Sequence, residues 1–212
     1  MGPRPPVAGW CWLTWSVYPT FLRMQRLIDN WVYGGFLAGI LILGLFAAIG
    51  GDWGAALWLV AIQLPVYMIH QYEEHDADRF RIFVNQLVGH GRDVLTPKAV
   101  FMINIPGVWG VNLAAIALAH SVNMGFGLIA VWLTLLNGLI HIAQGVALRR
   151  YNPGLVTAVC LFLPAGIFGI WELHAAGHGS APWQALGLGV ALTIHLAIIA
   201  HLRGRMKKLD AR

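Results

Sequence analysis

His70, Glu73, Glu74 and His75 place two imidazoles and two carboxylates within six residues, His70-Gln71-Tyr72-Glu73-Glu74-His75. On a helix, His70, Glu73 and Glu74 stand at i, i+3 and i+4 and share one face. His75, at i+5, is expected to turn off that face. One histidine and two carboxylates on a face supply most of a ligand set for a borderline or hard divalent cation, with zinc or iron the leading candidates. A carboxyl not used as a ligand would be placed to act as general base or acid. The motif closes a run from Leu57 to Ile69 that carries no charge. Ionisable groups at membrane depth are costly, and where they occur they mark sites with partners.

The elements that position these residues are expected to be membrane helices. Hydrophobic residues make up 58% of the 212 and charged residues 11%, about half the charge of an ordinary soluble domain. Mean hydropathy is +0.66. Apolar stretches long enough to cross a hydrocarbon core of roughly 30 Å recur along the chain. The predicted fold class is all-α: a polytopic transmembrane helix bundle of about six spans, without the alternating pattern of a membrane β-barrel. The spans are read at Trp31–Ile49, Trp53–Glu74, Ala99–His120, Phe126–Leu148, Leu155–Trp171 and Pro182–Leu202.

Charge placement orients the bundle. All 14 Lys and Arg lie before the first span, between the second and third, between the fourth and fifth, or after the sixth. The other three loops carry none. The positive-inside rule then puts both termini and the 75–98 loop in the cytoplasm, and the protein in a plasma (inner) membrane as a multi-pass chain. The net charge of +5 is explained by these loops, so no nucleic-acid partner is expected. Residues 1–30, with Trp10, Trp12, Trp15 and Tyr18, read as an interfacial lead-in rather than a cleaved signal peptide. Residues 31–203 form the transmembrane domain and 204–212 a basic tail. Cys11 and Cys160 imply no disulfide framework.

Depth is estimated from the helical rise of about 1.5 Å per residue, counted from the nearest cytoplasmic basic residue. On that scale His70 lies roughly 13 Å in, Glu73 and Glu74 about 8 Å, Asn104 about 9 Å, and His141 and His195 about 12 Å. Asn137 sits one turn deeper than His141 on the same face. Polar residues of four helices therefore share one slab of the cytoplasmic leaflet. Asn104 and Gln63 are read as interhelical hydrogen bonders. A second polar group, His120, Glu172, His174 and His178, falls on the outer side and reads as a solvated loop. Gly35 and Gly39 have the spacing for close helix approach, which would allow a homo-oligomer.

The chain resembles the HXXEE family of integral membrane proteins on the motif His70-Gln71-Tyr72-Glu73-Glu74. The continuation is similar as well: Phe80-Arg81-Ile82-Phe83-Val84-Asn85, then Asn137-Gly138-Leu139-Ile140-His141, then Arg149-Arg150-Tyr151-Asn152-Pro153-Gly154-Leu155-Val156-Thr157. The likeness spans roughly residues 25–205. Where members often carry a Pro-Gly-Gly-type turn after the motif, this chain has Asp76-Ala77-Asp78-Arg79. The resemblance implies the helical fold and a site built on His70, Glu73, Glu74 and His141, and supplies no reaction.

The expected chemistry is that of a membrane-embedded metal-dependent enzyme. His70, Glu73 or Glu74, and His141 would hold the ion, with His195 a further ligand. The remaining carboxylate would act as base or acid, and Asn137 and Tyr151 would orient a substrate or support the ligands. A slab inside the leaflet suits a lipid or other apolar substrate. Hydrolysis or isomerisation is favoured over oxidation, because the histidine-rich boxes of membrane di-iron enzymes and the repeated Glu-x-x-His of di-iron bundles are absent. The alternatives are an ion- or metal-coupled transporter using the same groups and a haem protein with His141 and His195 as axial ligands.

Overall fold

In a computed structural model, residues 20–211 are described, with side chains described from Met24. Trp10, Trp12, Trp15, Tyr18 and Cys11 lie outside the described residues. Among the described residues every regular element is helical. The long elements are α1 (Thr20–Ile49), α7 (Gly127–Leu148) and α10 (Ala181–Asp210). Between them lie α2 (Ala55–Ala61), α3 (Gln63–His75) and α4 (Arg79–Leu87). There follow α5 (Pro97–Met102), which runs through a π-helical stretch Ile103–Trp109 into α6 (Gly110–Ser121), and α8 (Leu155–Thr157), which runs through Ala158–Phe162 into α9 (Leu163–Ala175).

Among the described residues, five helices are long and apolar enough to cross a membrane: Met24–Asp52, Pro97–Ser121, Met124–Leu148, Leu155–Ala175 and Ala181–Asp210. The expected second span is absent from that set because it is broken at Ile62 into α2 and α3. Pro65 is the physical cause. It has no amide hydrogen for the Ala61 carbonyl, so the helical ladder lapses one turn before it. The two π-helical stretches have the same origin, in Pro106 and Pro164. Such stretches concentrate at functional sites, because they re-aim the side chains around them. Here they carry Asn104 and Phe162.

Sequence punctuation sets the ends. Thr96 caps α5, accepting from the Ala99 amide at 3.2 Å, and Pro97 follows at the first helical position, where no amide hydrogen is needed. Past His75, Ala77 and Asp78 adopt left-handed backbone angles, which turns the chain into the short amphipathic α4.

Basic residues collect at one end of the bundle. Arg81 bridges Asp78 and Asp93, Arg92 pairs with Asp210 at the end of α10, and Arg150 lies over the Phe83 ring. Asp78 holds the Arg81 guanidinium above its ordinary pKa. Tyr33 of α1 reaches Asp76 at the same end. Within the bundle, Leu133, Phe162, Tyr67 and Val108 pack beneath the polar slab, and Val84, Leu95 and Val100 pack under α4. Gly35 faces Trp109 and Gly39 faces Pro65 and Met68, so this close-approach surface is used within the chain.

Candidate metal centre

Two helices and one strap build the site. α3 supplies His70 and Glu74 one turn apart, and α7 supplies His141. The strap Asn152-Pro153-Gly154 between α7 and α8 lies behind both imidazoles. All three side chains are buried, at 0%, 6% and 3% exposure for His70, Glu74 and His141. One ligand atom from each lies within 4.8 Å of the others. His70 Nε2 is 3.6 Å from Glu74 Oε2, and His141 Nε2 is 3.5 Å from Glu74 Oε1. Both separations are too long for hydrogen bonds. They are close to the roughly 3.4 Å that ligands at 2.0–2.1 Å keep around a tetrahedral ion.

Hydrogen-bond partners fix which face of each imidazole meets the centre. Asn152 Nδ2 donates to the His141 carbonyl at 2.9 Å, so Asn152 Oδ1 is the atom 2.8 Å from His141 Nδ1 and must accept from it. The Thr157 hydroxyl donates to Glu73 Oε2 at 2.5 Å, leaving its oxygen to accept from His70 Nδ1 at 2.8 Å. Each ring thus spends its Nδ1 hydrogen on an outer partner and turns an Nε2 lone pair toward Glu74. His70 Nε2 is buried and has no hydrogen-bond partner. Two nitrogen lone pairs and a carboxylate converge on one point, a donor set that could hold a cation. A ligating histidine tied at its other nitrogen to an oxygen is the arrangement metal sites use.

Glu73 is not brought into this set. Its carboxylate accepts from Tyr151 Oη (2.9 Å), the Val156 amide (3.1 Å), the Thr157 amide (2.7 Å) and the Thr157 hydroxyl. It clamps the start of α8 and orients His70 through Thr157. The i+3 position reaches across to α8, whereas i+4 reaches inward. Burial, and then Glu73, push the Tyr151 phenol above its ordinary pKa. Tyr151 itself is 48% exposed, away from the three convergent side chains.

His75 corrects an expectation. It does not turn away: its Nε2 stands 3.1 Å from Glu74 Oε2 and 3.3 Å from Asn104 Nδ2. Adjacent side chains at the last turn of α3 can both bend toward the bundle, which the helical wheel does not convey. A directed chain holds the His75 ring. Trp109 donates to Gln71 Oε1 (2.6 Å), Gln71 Nε2 donates to Asn104 Oδ1 (2.7 Å), and the Asn104 amide nitrogen faces His75. Asn104 therefore acts as the interhelical hydrogen bonder it was read as. So does Gln63, whose amide donates to the Ala165 carbonyl.

Gly154 makes the convergence feasible. Its φ is +96°, and a Cβ there would stand 2.8 Å from Cε1 of both His70 and His141. Only glycine combines that backbone angle with that approach. Asn152, Gly154, Thr157 and His75 are thus site residues to which sequence reasoning assigned no role. The signal was available in the Asn-Pro-Gly turn and the Thr three residues beyond it.

The centre borders a cavity of about 260 Å³ between α4, α5, α7 and α10. Glu74, His75 and His141 line it at one side, with Asn137 and His195 among the other polar residues. Tyr67 lines the cavity as well. His195 Nδ1 donates to the Ala191 carbonyl at 2.8 Å, so its free nitrogen is Nε2. His195 borders the cavity but is not one of the three convergent ligands.

Residues 61–169 match the family described as "Protein of unknown function with HXXEE motif". The chain belongs to the HXXEE family. No curated protein and no solved structure matches it. The HXXEE match contains every residue of the centre and its strap, and ends before His195. Within the motif the two glutamates have different work: the first orients His70 from outside, and the second faces both imidazoles.

Proposed function

We propose that this HXXEE protein is a membrane-embedded metal-dependent enzyme that acts on a lipid or other apolar substrate. One observation carries the reading: His70 Nε2, His141 Nε2 and Glu74 converge without a donor among them, beside an apolar cavity. We count six spans, taking α2 and α3 together as the broken sixth, with both termini cytoplasmic in a plasma membrane. The gathering of basic residues at one end supports that orientation.

Zinc or iron fits a His₂-carboxylate donor set without sulfur. A divalent ion there would supply a Lewis acid and an activated water, which suits hydrolysis or isomerisation. The protein's own residues do the rest. Asn152 and Thr157 hold the imidazoles in register, and His75 stands against the same Glu74 oxygen that faces His70. Asn137 and Tyr67 present neutral hydrogen-bonding groups to a substrate head in the cavity. Tyr151 and Glu73 keep the strap closed behind the site.

The test is lipid analysis by mass spectrometry. Purified protein in nanodiscs is incubated with a membrane lipid extract, with and without added zinc or iron. The reading expects metal-dependent conversion of a lipid species, by addition of water or with unchanged mass, and its loss in Glu74→Gln. No conversion with a fully metal-loaded protein, or equal conversion by Glu74→Gln, overturns it.

A further inference from the structure

Two spaces meet at one thin wall. The cavity beside Glu74 is bounded by Ile103, Ile194 and Ile198. The same three isoleucines form one side of a shallower groove of about 330 Å³ between α5 and α10, completed by Ala99, Met102, Gly107, Ala197 and His201. Ile103, Ile194 and Ile198 line both spaces and so stand between the cavity and the groove. α10 is held chiefly along α7. Its two buried residues, Gly187 and Ala191, both lie in its first half, and its end is tied by Leu202 against Val84, Leu95 and Val100 and by the Arg92–Asp210 pair, so the stretch between them at the groove carries no buried residue.

The cavity also states what it accepts. None of its described lining residues is lysine or arginine, so a phosphate or sulfate head would find no cationic side chain. The polar groups it offers besides the centre are neutral hydrogen-bonding ones: Asn104, Asn137, Gln144, His195 and Tyr67. Gln144 Oε1 is buried without a partner and calls for a donor, such as a hydroxyl or amide N–H. At about 30 Å³ per water-sized group, 260 Å³ holds on the order of nine such groups. That is one chain of moderate length, not two acyl chains.

We infer that the substrate is a single-chain amphiphile with an uncharged, hydrogen-bonding head, and that it reaches the cavity sideways from the bilayer by parting Ile103 from Ile194 and Ile198. The inference rests on the proposed enzyme reading only in calling the occupant a substrate. Occupancy and route stand on the cavity alone.

The experiment uses the full chain in phosphatidylcholine nanodiscs and a medium-chain alcohol carrying a photoreactive diazirine, with labelled residues mapped by mass spectrometry. Labelling is expected at cavity positions such as Val108, Leu133 and Ile140. Excess unlabelled alcohol of the same length should reduce it about tenfold, and the alkyl phosphate of that length should not. Ile198→Trp and Ile103→Trp, each first shown to melt like the parent protein, should lower cavity labelling by a similar factor. Leu113→Trp, on the exposed face of α6, should leave it unchanged. His70→Ala, whose side chain does not line the cavity, should keep the labelling while removing the metal, so loss of one reading leaves the other standing. Label spread evenly over outward-facing helices, equal competition by the alkyl phosphate, or full cavity labelling in both folded tryptophan variants would overturn the inference.

Discussion

Two histidine groups use the same residue types at nearly the same spacing, yet among the described residues one of them converges. In the first, His70 and Glu74 stand one turn apart and meet His141. In the second, His174 and His178 also stand four residues apart, with Glu172 beside them. The second group lies on a turn: α9 stops at Ala175, Gly177 takes a φ of +80°, and His174 is exposed with Nδ1 3.4 Å from the Gly179 carbonyl. No group of three converges there among the described residues. In the first group each imidazole of His70 and His141 is locked by an oxygen behind it, buried, and pressed by Gly154. Spacing selects candidates; the partners behind the rings decide which become a site.

The sharpest way to break this comparison is to remove ligands. His70→Ala and His141→Ala should each abolish stoichiometric metal, whereas His174→Ala and His178→Ala should leave it intact. Metal retained in His141→Ala, or lost in His174→Ala, would erase the distinction.

Two of the glycines with positive φ offer the next contrast. Gly154→Ala puts a Cβ against both imidazoles as well as forcing the backbone angle, and should cost about 2–4 kcal/mol with loss of metal. Gly177→Ala has open space around it and should cost only about 1 kcal/mol. Thermal melting of both variants measures the difference.

Outer partners should matter less than ligands. Asn152→Ala and Thr157→Val should weaken metal affinity by about 10–100-fold without abolishing it, measured by competition with a chelating dye. If neither changes affinity, the imidazoles are not held as described.

The smallest effect is expected at Tyr151. Tyr151→Phe removes one bond from Glu73, which keeps three others, and should cost about 1 kcal/mol or less. The raised Tyr151 pKa makes this contribution pH-dependent. It is present below the ordinary tyrosine value of about 10 and is lost as pH rises through the folded value. An alkaline melting series should show a loss that Tyr151→Phe lacks.

Much of this was legible in the chain. Apolar stretches and the one-sided Lys and Arg placement specify the bundle, because a bilayer constrains length and charge strongly. His70, Glu74 and His141 follow from spacing and depth. Glu73 was not separable from Glu74, since both lie on the same face and only the position of α8 assigns them. His75 was misplaced because a wheel ignores side-chain reach at a helix end. The break at Ile62 was encoded in Pro65, but an apolar run hides it from a reading by hydropathy. The cavity and its isoleucine wall come from four elements distant in sequence, which no local pattern reports.

The central claim is that His70, Glu74 and His141 hold one divalent ion. Elemental analysis combined with X-ray absorption of the purified full-length protein tests it most directly. The account predicts one ion per chain, with nitrogen and oxygen but no sulfur in its first coordination shell, and its loss in Glu74→Gln while that variant stays folded. A folded, metal-supplied protein that holds no ion, or one whose ion has sulfur ligands or survives Glu74→Gln with its spectrum unchanged, would contradict it.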